Sequence, residues 1–115
     1  MELTYEYTNN QLKVNGRYIY FPYSIRDVQK RKDQLIVLLE VPPNDPTADN
    51  LYAVTDQGEM AWQAQHLSEV YPLEKILPYE QMVVKEEEIR AMDFYGRCYF
   101  LDPRNGKILK RSIYR

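Results

Sequence analysis

The chain has 115 residues, of which 44% are hydrophobic, 28% charged and 13% aromatic; this suits one folded domain and excludes a collagen-like or wholly disordered chain. Its longest uninterrupted apolar run, Leu35 to Leu39, falls far short of the roughly 20 residues a bilayer helix needs. A lone cysteine, Cys98, excludes an internal disulfide, and a formal net charge of -2 argues against a dedicated nucleic-acid binder.

The first residues, Met1-Glu2-Leu3-Thr4, lack the basic flank and apolar stretch of a secretory signal, so the expected compartment is the cytoplasm. From Leu3 to Thr8 apolar and polar residues alternate, placing Leu3, Tyr5 and Tyr7 on one face of a half-buried strand. Residues 11–14 alternate likewise and meet Asn15-Gly16, a dipeptide suited to a two-residue hairpin because both residues tolerate positive φ. The returning strand, 17–23, has two apolar faces, Tyr18/Tyr20 and Ile19/Phe21; it is either buried on both sides or presents an aromatic face to water. Residues 26–33 read as a basic turn. The run from Leu35 to Val41 is apolar without alternation, as in a central strand covered on both faces.

Residues 42–50 are rich in Pro, Asn and Asp and read as an exposed loop. A hairpin follows, from Leu51-Tyr52-Ala53-Val54 through Thr55-Asp56-Gln57-Gly58 into residues 59–64. Residues 66–81 show little periodicity and contain Pro72 and Pro78. Residues 85–92 are good helix formers, but two strands, roughly 82–85 and 88–94 around an acidic turn, are the preferred reading. Tyr95-Gly96 turns the chain into 97–101; Asp102-Pro103-Arg104-Asn105-Gly106 is a strong turn, and 107–114 is the last strand. The expectation is one all-β domain over 1–115, with at most one short helix. It would be an antiparallel meander of about eight strands arranged as a sandwich, a partial barrel or two propeller-blade-like sheets.

Two hairpins echo one another. Tyr52-Ala53-Val54-Thr55-Asp56-Gln57-Gly58-Glu59-Met60-Ala61-Trp62 and Tyr99-Phe100-Leu101-Asp102-Pro103-Arg104-Asn105-Gly106-Lys107-Ile108-Leu109-Lys110 share a tyrosine, an acidic turn, a glycine and an apolar return. Their glycines lie 48 residues apart, and Gly16 lies 42 before Gly58. Over about 23 residues this wording resembles the outer hairpin of quinoprotein-type β-propeller blades. Gly58 and Trp62 match its glycine-to-tryptophan spacing, and Asp102, Gly106 and Lys107 match its turn; Phe100 and Lys110 depart from it. Propellers close with at least four blades, more than this length supplies, so the resemblance implies similar meanders in a small antiparallel domain and no quinone cofactor. The layout also resembles small uncharacterised bacterial β-proteins, some of which sit beside toxins as candidate immunity proteins.

Charge is unevenly spread: residues 40–93 carry 12 acidic and 3 basic side chains, residues 94–115 carry 1 and 6. The basic stretch either pairs with the acidic middle of its own chain or faces an acidic partner such as nucleic acid. Reactive constellations are sparse. His66 and Cys98 alone are too few for a zinc, copper or iron site. No serine sits in a nucleophile elbow, Glu86-Glu87-Glu88 read as solvated charges, and the four glycines form no phosphate loop. No metal or cofactor is expected, nor an enzymatic activity. The distinctive surplus is tyrosine, 11 in all, a residue favoured at interfaces for its large contact area at low entropy cost. The candidate contact residues are Tyr18, Tyr20, Tyr23, Tyr71, Tyr79 and Trp62.

The leading expectation is therefore a protein-interaction module, an immunity or accessory protein, using a tyrosine-bearing sheet face or the loops at 42–50 and 66–81. Alternatives are a nucleic-acid-binding β-domain and a small enzyme, which requires a deep pocket holding His66 beside a carboxylate or hydroxyl. A homodimer through sheet edges is a further option.

Overall fold

The computed structural model describes residues 3–42, 44–47 and 49–113. In chain order the strands are β1 Tyr5–Thr8, β2 Gln11–Val14, β3 Arg17–Tyr20, β4 Ile25–Arg31, β5 Gln34–Leu39, β6 Leu51–Thr55, β7 Met60–Gln63, β8 Tyr79–Val84, β9 Ile89–Asp93, β10 Arg97–Leu101 and β11 Ile108–Ile113, with a single 3-10 turn at Leu67–Glu69. They form three antiparallel meanders, β1-β2-β3, β4-β5-β6-β7 and β8-β9-β10-β11, none closed into a barrel. The all-β expectation holds, and residues 79–93 are strands on either side of the acidic turn rather than a helix. No helix among the described residues is long and apolar enough to cross a membrane.

The middle sheet is buried on both faces, which is why Leu35 to Leu39 lacks alternation. Leu35, Val37 and Leu39, with Tyr52 and Val54, meet Leu12 and Val14 from the first sheet and Phe21 just after it. Ile36, Leu38, Leu51, Ala53 and Trp62 meet Tyr79, Met82, Ile89, Ala91, Tyr99 and Leu101 from the third. The result is two cores separated by one sheet, each a row of side chains interdigitating across about 10 Å. In the echoing hairpins, β6–β7 and β10–β11, the third and fourth strands of their sheets are joined by turns bearing Gly58 and Gly106. Gly106 has φ +76, and a Cβ there would stand 2.4 Å from Trp62 Cε3, so the indole is seated on the bare backbone of the neighbouring turn.

Three expectations are corrected. Residues 26–33 are not mainly a turn: Ile25–Arg31 is a strand. Its pattern is obscured because Arg26 is an extra residue opposite the Ile25/Leu39 and Asp27/Leu38 pairs, so buried Ile25 and Val28 face the same core although three apart. The strand after Asn15-Gly16 ends at Tyr20, and the described residues form eleven strands where about eight were expected. The final strand's expected end at Tyr114 lies outside the described residues.

Candidate interaction surface

The turn between β9 and β10 is built by two charged side chains from its flanks. Asp93 accepts from the backbone N–H groups of Tyr95 (2.9 Å) and Arg97 (3.1 Å), and Gly96, at φ +82, donates to the Asp93 carbonyl. The Arg97 guanidinium then donates from Nε to Asp93 Oδ2 at 2.6 Å, from Nη1 to Glu74 Oε2 at 3.2 Å and from Nη2 to the Lys75 carbonyl at 2.8 Å. Arg111 on β11 completes the network by pairing with Glu74 and lying 4.5 Å over the Tyr71 ring. Asp93 and Arg97 are 6% and 8% exposed, so both charges are taken out of water; the five hydrogen bonds around them offset a desolvation cost that an isolated pair would not recover. The Arg111 guanidinium beside Glu74 is the main cause holding its carboxyl below the usual range.

This network ties the 71–77 loop to the β9–β10 turn, and the two segments present large apolar groups outward. Leu73 is 99% exposed, Phe94 80% and Tyr95 59%. The Phe94 and Tyr95 rings are 6.1 Å apart, and the Lys75 ammonium lies 5.7 Å over Tyr95. Beside Phe94 a cleft of about 430 Å³ is lined by Arg26, Glu80, Gln81, Met92 and Gly96, with Arg26 and Glu80 paired at 2.9 Å. Below it, Tyr79 and Tyr71 flank Tyr99 at 5.9 and 6.0 Å. The hydroxyl of Tyr79 is buried without a hydrogen-bond partner, and burial pushes the phenols of Tyr79 and Tyr99 up from 10.0; the Arg111 guanidinium beside Tyr99 opposes the rise there.

Among the six tyrosine and tryptophan candidates, Tyr18 (52% exposed) and Tyr20 (65%) share the water-facing side of β3, and Lys13 lies 5.6 Å over Tyr18. Tyr23 is half-buried and donates its hydroxyl to Asp45, which also accepts from Thr47 Oγ1 at 2.5 Å; these bonds, Thr47's first, hold the carboxyl below its usual range. The remaining three present less surface. Tyr79 is core, Trp62 is buried with Nε1 donating to the Pro103 carbonyl at 3.0 Å, and Tyr71 is half-buried against Tyr99 and Arg111. Sequence reasoning missed Phe94 and Tyr95, although Phe-Tyr-Gly at a tight turn is a legible signal: side chains at the tip of a two-stranded turn have no core to enter.

Three cations of the basic C-terminal stretch pair within the chain: Arg97 with Asp93 and Glu74, Arg111 with Glu74, and Arg104 with Asp102 at 3.0 Å. His66 is half-exposed and caps the 3-10 turn; its Nδ1 accepts from the Ser68 N–H at 3.2 Å and lies 2.7 Å from Ser68 Oγ. Cys98 is buried within β10. Among the described residues no three His, Cys, Asp or Glu side chains are grouped to hold a metal ion.

A family model described as a domain of unknown function, DUF7957, matches residues 2–113. The chain belongs to the DUF7957 family. No curated protein matches this DUF7957 domain. Among solved structures, its fold is similar to the crystal structure of the computationally designed Ika8 protein, at a TM-score of 0.62 and 10% identity. The match covers 96% of this chain and 35% of that one, so the three-sheet stack corresponds to about a third of the designed chain.

Proposed function

We propose that this domain is a non-enzymatic protein-interaction module whose partner docks on the corner formed by Leu73, Phe94 and Tyr95. The observation carrying this reading is that an ion network, with Asp93 and Arg97 buried and Glu74 at its rim, fixes two segments whose outward side chains are large, apolar and exposed at 99%, 80% and 59%. Holding such side chains in water has no benefit for the isolated fold. For binding, a loop pair ordered in advance lowers the entropy lost on association, and aromatic anchors beside a cleft are the usual centre of an interface. We read the three meanders as blade-like units stacked in series, a reading supported by the echoing hairpins at equivalent places in the second and third sheets.

An immunity or accessory role fits a module of this kind. The nucleic-acid reading has less support, because three of the cations it would use, Arg97, Arg104 and Arg111, are engaged by carboxylates of the same chain. The His66 reading has less support as well, since the ring is half-exposed on a turn and its Nδ1 is engaged by Ser68.

Affinity purification from the native host tests the proposal. The unaltered chain is expected to retain one stoichiometric protein that a Phe94→Asp variant loses. Equal recovery with both chains, or none under several growth conditions, counts against it. Titration with single-stranded DNA or RNA at low and high salt separates the alternative, since phosphate contacts weaken as salt rises.

A further inference from the structure

The three sheets leave six strands at their edges: β1 and β3, β4 and β7, β8 and β11. All four edges of the second and third sheets are disrupted by an extra residue: Arg26 in β4, Ala61 in β7, Glu80 in β8 and Leu109 in β11. Such bulges bend an edge away from foreign strands. The first sheet has none, as β1, β2 and β3 pair in continuous register. It is also one strand narrower than its neighbours.

The two unbulged edges differ in chemistry. In β3 the two-residue turn at Asn15-Gly16 makes Val14 and Arg17 a hydrogen-bonded pair, so Ile19 bonds to Leu12 while the peptide groups of Tyr18 and Tyr20 point away from β2. The bond from the Phe21 N–H to the Asn10 carbonyl, at 2.9 Å, continues that alternation. An antiparallel partner is therefore offered the sequence Tyr18-Ile19-Tyr20, which reads the same in both directions and carries no charge. In β1 the corresponding stretch is Tyr5-Glu6-Tyr7, and a twofold pairing would set Glu6 opposite Glu6, which like-charge repulsion disfavours.

We infer that β3 is a self-association edge, pairing antiparallel with β3 of a second copy about a twofold axis at Ile19. Tyr18 faces Tyr20 of the second copy and the reverse, with both peptide groups of each residue bonded, and the two three-stranded sheets become one of six. The four tyrosine rings, 52% and 65% exposed in the single chain, gather on the outer face, and Ile19 packs on its copy beneath. The contact is smaller than the roughly 1,200–2,000 Å² of a standard interface, so the dimer is weak and concentration-dependent. It lies on a different sheet from Phe94 and does not depend on the partner proposed above.

Sedimentation velocity of the full chain over a dilution series tests this. The unaltered protein is expected to shift from one chain to two as concentration rises. Tyr18→Glu/Tyr20→Glu, which sets like charges opposite one another in this register, weakens the dimer at least tenfold. Tyr18→Glu/Tyr20→Lys, which sets opposite charges face to face, restores it, with circular dichroism checking that both variants fold. A single chain at every concentration up to about 1 mM overturns the inference, because association weaker than that has no bearing at cellular levels. Equal dimerisation of all three proteins overturns it too, by placing the contact on another edge.

Discussion

The two ends of the stack solve the same problem in different ways. The third sheet disrupts both of its edges with bulges and fixes its connecting turn with buried charges, whereas the first sheet relies on two-residue turns and has no bulge or buried ion pair. One end is therefore held by charged side chains from separate segments, and the other by tight turns whose Asn9 and Asn15 also bond to the middle sheet. The lesson is that aromatic exposure arises by separate routes: at Phe94 and Tyr95 because a rigid turn projects them, and at Tyr18 and Tyr20 because a strand has no sheet over its outer face.

The sharpest way to break this contrast is to remove Arg97. Arg97→Ala leaves Asp93 charged, buried and unpaired, and is expected to cost about 3–5 kcal/mol in chemical denaturation. Amide exchange at residues 74 and 75 should accelerate in the same variant, because the Lys75 carbonyl and Glu74 lose their donor. A loss below about 1 kcal/mol would mean the network does not hold the corner.

Glycine substitutions sharpen the comparison next. Gly106→Ala is expected to destabilise by about 2–4 kcal/mol, from strain at positive φ together with the collision on Trp62. At Gly16, φ is +84 with nothing within 4 Å of the added carbon, so Gly16→Ala meets only backbone strain, about 1–2 kcal/mol. Equal losses at the two sites, measured by the same denaturation midpoints, would contradict the seating of Trp62.

pH acts with opposite signs on the middle and third sheets' tyrosines and on Glu74 beside the third sheet. Burial raises the folded-state pKa of Tyr79, Tyr99 and Tyr52, so their contribution is complete below the ordinary value of 10.0 and is lost as pH rises through the elevated folded values. Glu74 is shifted the other way by Arg111: its contribution is present above the ordinary value of 4.5 and is lost as pH falls through the depressed folded value. Thermal midpoints should decline at both extremes. Tyr79→Phe, which deletes an unbonded buried hydroxyl, is expected to flatten the alkaline limb with little loss of stability at neutral pH. Glu74→Gln is expected to flatten part of the acid limb.

The smallest effect on stability belongs to the exposed tyrosines. Tyr18→Ala is expected to change the folding free energy by less than about 0.5 kcal/mol, since half of that ring already meets water. A larger loss would show that the outer face of β3 supports the fold of the single chain.

Much of the strand pattern was legible from local rules. Alternation at residues 3–8 and 11–14 marked β1 and β2, although β1 is exposed along its length rather than half-buried; Asn15-Gly16 marked the return, and the unbroken run at 35–39 marked a strand covered on both sides. Where a bulge intervened the rule failed, as at Arg26, because one extra residue moves the next side chains to the opposite face. The candidate surface was less legible. Composition could announce a surplus of tyrosine but not assign each ring, because Tyr18 and Tyr79 both sit in apolar stretches and differ only in whether another sheet lies above them.

The sequence by itself determined an all-β chain without a membrane-length helix and with Asn-Gly and Asp-Pro-x-x-Gly reversals, because period, turn geometry and φ preference act within a few neighbours. Tertiary structure alone decided that the meanders stack as three sheets, that Arg97 and Glu74 meet across 23 residues, and which aromatic rings remain in water. Those outcomes depend on which faces and loops come together, and no local preference encodes contact between segments far apart in the chain.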